Sequence, residues 1–397
     1  MERIYSFMSE SMLLRGRLLG KTETVDVELR DGRIHGLRPA KNGTPDAGDG
    51  QSLFMPGLFD IQVNGAFGYD MQSSALTVDM VHGLNEQLLR HGVFRWVPTL
   101  VTDSAEALEH KCRVLGEALG DPALARHIPG IHLEGPHISP EDGPRGAHPA
   151  AHVCAPDLKL FERLHRASGG RILYVTLAPE WRGALAFIRA VTAKGVTVSL
   201  GHHKAEAEDI RAAADAGARL CTHLGNGLAS LIHRHQNPLW PQLADDRLHV
   251  SLIADLEHLP VDLLKVLFRA KGIQRIILVS DSVLLAGMKP GKYQLFDAAV
   301  ELKRSGRVCL SGTDLLAGSS LFLPEGVVNF SAAVEIPMAQ AVAAASRVPA
   351  RLLGVPLPLW PPRPGRRAEF SFYREAPKKD QAFPMPEFTL AGGIFRS

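Results

Sequence analysis

A helical stretch that ends at glycine and runs at once into a short apolar segment recurs along this chain. It reads RHGVFRWVPT around Gly92, AKGVTVSLG around Gly195, DAGARLCTH around Gly217 and AKGIQRIILVSD around Gly272. Glycine just past a helix supplies a left-handed cap, and cations before it complement the helix dipole. The stretch 259–271 shows the helical half: Leu263, Leu264, Val266, Leu267 and Ala270 share a face, and Pro260 stands near the first turn. With the other apolar runs, eight strands are expected, at 58–63, 94–99, 129–133, 172–178, 196–200, 219–223, 249–253 and 276–280. Strands alternating with helix-length segments imply parallel β/α units, and eight of them predict an α/β fold of the (β/α)8, TIM-barrel type. An open doubly wound sheet is the competing fold. It would usually carry a nucleotide loop, and Gly225-x-Gly227 lacks the third glycine of that fingerprint.

The ends of the chain follow another rule. Residues 22–37 alternate as a strand does and turn at Asp31-Gly32, a hairpin signal. Glu369 to Tyr373 and Glu387 to Phe395 are also strand-like, after a Pro/Arg-rich connector, PPRPGRR, at 361–367. The expected organisation is a small β domain from residues 1–55 and 361–397 beside a barrel over 56–360. A chain of 397 residues has room for one large and one small domain. Lys and Arg (44) nearly balance Asp and Glu (42), so no basic surplus suggests nucleic acid. No apolar run reaches 18 residues, and Met1 to Lys21 is interrupted by Glu2, Arg3, Glu10, Arg15 and Arg17. Neither a membrane span nor a signal peptide is expected. Cys112, Cys154, Cys221 and Cys309 lie far apart, which predicts reduced thiols and a cytoplasmic protein.

In such a barrel the active site lies at the C-terminal ends of the strands. Those ends carry, in order, Gln62 and Asn64, Thr99, Glu134, Glu180, His202, His223, Asp255 with His258, and Asp281. Loops are polar, so any one of these residues alone carries little weight. A glutamate, two histidines and an aspartate from four strands form a constellation. Carboxylate and neutral imidazole are zinc ligands, and a catalytic zinc takes three protein ligands plus water. Glu134, His202 and His223 supply those three, which leaves Asp281 to handle a proton. His132 lies two residues before Glu134 and faces the same side of its strand, as a supporting partner rather than a ligand.

These motifs resemble the N-acetylglucosamine-6-phosphate deacetylases of the metal-dependent amidohydrolase superfamily over nearly the whole chain. The carriers are MPGLFDIQVNG (55–65), GIHLEGPHISPEDGPRGAHP (130–149), VTLAPE (175–180), VSLGHHKA (198–205), THLGNG (222–227), ADLEH (254–258), VSDSVLLAG (279–287) and AGSSL (317–321). The resemblance implies a barrel with a small β-sandwich built from both chain ends, as a homodimer. It implies hydrolysis of an N-acetyl amino-sugar phosphate to acetate and the amino-sugar phosphate. Gln62-x-Asn64 replaces the H-x-H pair of most amidohydrolases, so one divalent metal is implied, zinc first, with Fe2+, Co2+ or Mn2+ as alternatives. The resemblance makes Glu134, His202 and His223 the ligands, Asp281 the acid/base and His148 the group that polarises the amide carbonyl. It places Asn226, the Gly227 N–H, Arg234 and His258 at phosphate contacts, with the arginine reaching a partner subunit's site.

The sequence also departs from that pattern. The loop GLASLIHRHQNPLW keeps only the spacing of Arg234 from His223. Glu257 puts a carboxylate beside His258, and the segment from Glu134 to His148 is long and carries Glu141 and Asp142. A different N-acyl substrate without phosphate therefore stays open. So do a glycosidase using Glu134 and Asp281, which would leave both histidines unexplained, and a non-catalytic binding protein.

Overall fold

The computed structural model describes residues 11–295, 298–313, 315–375, 384–392 and 394–396. Residues 1–10 of the Met1 to Lys21 segment read for a signal peptide lie outside the described residues. Eight parallel strands stand side by side in chain order: Leu58–Val63, Val93–Val101, Ile131–Glu134, Ile172–Leu177, Thr197–Leu200, Leu220–Cys221, His249–Ile253 and Ile276–Val279. All eight expected strands are present. The first and eighth close the barrel through a Val63–Ser282 bridge, with the Asp281 N–H donating to the Gln62 carbonyl at 3.0 Å. Strands covered on both faces read as continuous apolar runs, and all six residues of Leu58–Val63 are buried.

Helices wrap the outside. Thr77, Ser104 and Asp157 cap Val78–Arg90, Ala105–Ala118 and Leu158–Ala167 by accepting backbone N–H groups of the first turn. Gly92 and Gly195 end two of the repeat helices at φ 81°, the left-handed value that the pattern implied. The apolar face of Val261–Lys271 is narrower than expected. Leu264 and Leu267 are buried, whereas Val266 and Ala270 face outward. The sixth strand is shorter than expected because His223 gives its N–H to the Ser251 side-chain Oγ (2.7 Å) instead of to a backbone carbonyl of the neighbouring strand.

Both chain ends meet in one mixed sheet of seven strands. Its order is Ile394–Arg396, Phe388–Ala391, Phe370–Tyr373, Ala47–Met55, Met12–Leu18, Thr24–Arg30 and Arg33–Pro39. The sheet folds over on itself. Its last strand bonds to the segment entering Phe370–Tyr373, through Ile34 N–H to Arg366 O (2.9 Å) and Ala368 N–H with Gly32 O (2.9 Å). The enclosed core holds Leu14, Val27, Ile34, Phe54, Phe370 and Phe372, with the Phe54 ring 5.2 Å from Phe370 and 5.0 Å from Phe372. Asp31 (φ 52°) and Gly32 (φ 67°) make the expected hairpin turn.

One element was not anticipated. After the eighth barrel strand, Gly291–Leu295, Ala298–Leu302 and Val308–Leu310 form a small antiparallel sheet. It packs on Val283 and Leu285 and stands over the barrel mouth. Among the described residues no helix is long and apolar enough to cross a membrane, and all four cysteines are free thiols.

Candidate active site

The expected strand ends converge. His223 Nε2 lies 2.9 Å from Glu134 Oε1, His202 Nε2 lies 3.2 Å from the same oxygen, and the two Nε2 atoms are 3.1 Å apart. His202 Nδ1 stands 2.9 Å from the Pro144 carbonyl, an acceptor that fixes the ring proton on Nδ1 and turns the Nε2 lone pair inward. Two imidazole nitrogens and a carboxylate oxygen, all buried and within 4.8 Å of one another, form a donor set that can hold a metal ion. Burial alone would raise the Glu134 carboxyl, yet His202 and His223 outweigh it and hold the group well below the usual carboxylate range. The same contact raises His223 against its own burial.

The two amides at the end of the first strand each face a carboxylate. Gln62 Nε2 donates to both Glu134 oxygens at 3.1 Å, and Asn64 Nδ2 donates to Asp281 Oδ1 at 2.8 Å. Each therefore orients one carboxylate of the site. Burial and the charge of Glu134 push the Asp281 carboxyl up to about 6. His148 is buried, and burial together with nearby His202 takes its imidazole down to about 3. Its Nδ1 accepts from the Thr102 N–H at 3.4 Å and lies 2.9 Å from Thr102 Oγ1, so Nε2 carries the proton and can donate.

Glu134, His148, His202, His223 and Asp281 line a cavity of about 500 Å³ with Asn64, Asn226, Gly227 and His258. Gly227 packs on His202: at φ 61°, an added Cβ would fall 2.9 Å from His202 Nδ1. Asn226 lies against the His223 carbonyl (3.3 Å). His258 Nδ1 is 2.6 Å from Asp255 Oδ2, and both backbone N–H groups of Glu257 and His258 reach Asp255 Oδ1. His132 bridges Thr99 (3.1 Å) and Thr176 (2.7 Å) and stacks on Tyr174, so it braces the barrel interior without touching Glu134.

Other strand-end and loop residues are held elsewhere. Glu180 accepts the Lys204 N–H, and Glu141 and Asp142 pair with Lys204 and Arg145. Arg234 is exposed and does not line the cavity of its own chain; the indole of Trp240 holds its carbonyl instead (3.0 Å). The charged wall residue that the sequence reading missed is Arg307, just before the last strand of the unanticipated small sheet. Its guanidinium pairs with Glu257 at 3.1 Å, which disposes of the carboxylate beside His258. No local pattern marks Arg307, because its partner is 50 residues away in the chain.

The amidohydrolase family matches residues 53–359. The human N-acetylglucosamine-6-phosphate deacetylase is 35% identical over 374 residues, covering 89% of this chain and 87% of its own. The N-acetylgalactosamine-6-phosphate deacetylase of Escherichia coli O157:H7 is 32% identical over 361 residues, covering 90% and 93%. Among solved structures, an aspartate-to-alanine variant of the Mycobacterium smegmatis N-acetyl-D-glucosamine-6-phosphate deacetylase, in complex with N-acetyl-D-glucosamine-6-phosphate, is similar with a TM-score of 0.83. It is 29% identical, and the match covers 97% of this chain and 99% of that one. With the motifs, the barrel and the Glu134/His202/His223 group in agreement, the chain belongs to the N-acetylglucosamine-6-phosphate deacetylase family of the amidohydrolases.

Proposed function

We propose that this protein hydrolyses the acetamide of N-acetylglucosamine 6-phosphate, or of a close N-acetyl amino-sugar phosphate, to acetate and the free amine. The observation that carries the reading is the meeting of a three-donor group, an aspartate and a neutral histidine donor in one buried cavity. Glu134, His202 and His223 hold one divalent ion, zinc by preference, and Gln62 and Asn64 hold none. When bound, such an ion acts as a Lewis acid and makes water a better nucleophile near neutral pH. Asp281, fixed by Asn64, removes a proton from the attacking water and returns a proton to the leaving amine nitrogen. His148 Nε2–H donates to the carbonyl oxygen as negative charge develops there, a contact typically worth about 3 kcal/mol. The new C–O bond forms first, the amide C–N bond then breaks as the amine nitrogen takes its proton, and water supplies both the oxygen and the protons.

The phosphate end lies toward Asn226, the Gly227 N–H and His258. Arg307 is the one permanent cation among the described residues that line the cavity, and it serves the phosphate in cis. Arg234 takes its role from a partner subunit in a homodimer. The test is acetate release by zinc-loaded protein from N-acetylglucosamine 6-phosphate, N-acetylgalactosamine 6-phosphate and unphosphorylated N-acetylglucosamine. Strong preference for a phosphorylated sugar supports the reading. Activity without that preference keeps the chemistry and removes the phosphate site, and no acetate from any of the three overturns the assignment. Arg307→Met should raise KM about tenfold for the phosphorylated sugar alone.

A further inference from the structure

The Pro/Arg-rich connector is not used by the deacetylation site. It forms the wall of a second concavity of about 570 Å³, where the small sheet meets the N-terminal end of the barrel. Five arginines surround this space: Arg33 from the small sheet, Arg95 from the start of the second barrel strand, and Arg363, Arg366 and Arg367 from the connector. The one acidic wall residue is Glu369, and it is already engaged by Arg126 at 2.5 Å and by Arg95 at 3.6 Å. The wall thus carries an excess of four positive charges in a chain whose formal net charge is +2.

Three of the five arginines are also set in place. Arg95 is 92% buried and anchored to the Phe94 carbonyl (3.0 Å); Arg33 bonds the Gly365 carbonyl (3.2 Å), and Arg367 bonds the Gly392 carbonyl (3.0 Å). Among the described residues no carboxylate pairs with Arg363 or Arg366. Carbonyl anchors position Arg33 and Arg367 without neutralising them, so their charge, with that of Arg363 and Arg366, remains for a ligand. Leu357 and Leu359 supply an apolar side to the same space.

We propose that this arginine-lined concavity binds a small molecule carrying two phosphate groups. A phosphate ester carries roughly 1.5 to 2 negative charges at neutral pH, so two of them match the wall charge. Planar guanidinium groups suit phosphate oxygens through paired N–H contacts. A concave space of this size takes a metabolite-sized ligand, whereas nucleic acid would require an extended basic face. Because the wall combines the small sheet, the connector and a barrel strand, a bound bisphosphate would tie the small sheet to the end of the barrel opposite the metal group.

The probe is fructose 1,6-bisphosphate, titrated calorimetrically into the metal-loaded full chain, with fructose 6-phosphate as the one-phosphate comparison. One-site binding is expected, on the order of tenfold weaker for the monophosphate and at least tenfold weaker for the Arg363→Gln/Arg366→Gln variant. Both replaced side chains are exposed, and acetate release by the variant should equal that of the original protein, which shows that it is folded. Absence of binding, or equal binding by the original and variant proteins, overturns the proposal.

Discussion

At the barrel mouth, His202, His223 and Asp281 hold left-handed backbone angles of 52°, 28° and 49°. Buried Asn64 Oδ1 and His223 Nδ1 have no protein partner there. In the small sheet the one such angle in a non-glycine residue, among the described residues, is at the Asp31 hairpin turn. Phe54, Phe370 and Phe372 are fully buried ring against ring, and the charged pair Arg15–Asp26 closes at 2.7 Å with further bonds to Lys41 and Gly43. Left-handed conformation in a non-glycine residue costs roughly 1–3 kcal/mol. A region that accepts that cost three times, at residues lining one cavity, is arranged for chemistry. A region that accepts it only at a turn, although it too leaves Arg17 Nε, Ser371 Oγ and Thr389 Oγ1 unpartnered, is arranged for stability, and the two should separate under mutation.

The largest expected effect is at the mouth. His223→Asn should lower acetate release by ~10³-fold or more, because it removes one of three donors to the ion. Metal analysis of the same sample should show the ion lost, and the thermal midpoint should not fall below that of the original protein when both are measured metal-free. Phe54→Ala tests the other side. It should cost ~3–5 kcal/mol of stability in chemical denaturation while leaving kcat of the folded protein unchanged. A drop in kcat there would join the two regions that the comparison separates.

His148→Ala sharpens the account within the mouth. It should lower kcat by ~10²-fold with little change in KM, since its N–H acts on charge that develops during reaction. The smallest effect belongs to Asp26. Hydrogen bonding from Arg15 holds its carboxyl below the ordinary value, burial opposing, with the Lys41 N–H and the Arg15 charge assisting. A folded value below the unfolded one means stability that is present above pH ~4 and lost as pH falls through the folded value. Asp26→Asn should therefore melt a few degrees lower at neutral pH. The gap between it and the original protein should close in acid, and a gap independent of pH would contradict the pairing.

The barrel and the metal group were legible in the sequence because each depends on a local rule. Apolar runs mark strands, and the first polar residue after each run marks the mouth, so Glu134, His202, His223 and Asp281 can be read from position alone. Gln62 and Asn64 could be read as poor ligands, but not as groups that orient Glu134 and Asp281, since those contacts span 72 and 217 residues. Arg307 escaped notice because its sheet is built from strands of three to five residues with little alternation to read. Arg234 shows the reverse case. Its spacing from His223 is kept, yet its loop leaves the side chain outside its own chain's cavity. The connector 361–367 was legible as a boundary and silent as a charged wall, because Arg33 and Arg95 join it only in three dimensions.

The most direct test of the central claim is Asp281→Asn in zinc-loaded protein, with metal content and acetate release measured on one sample. The account predicts that the ion stays, since Glu134, His202 and His223 are untouched, and that turnover falls by ~10³-fold. A variant that keeps both its metal and near-normal acetate release would show that Asp281 does not move the proton.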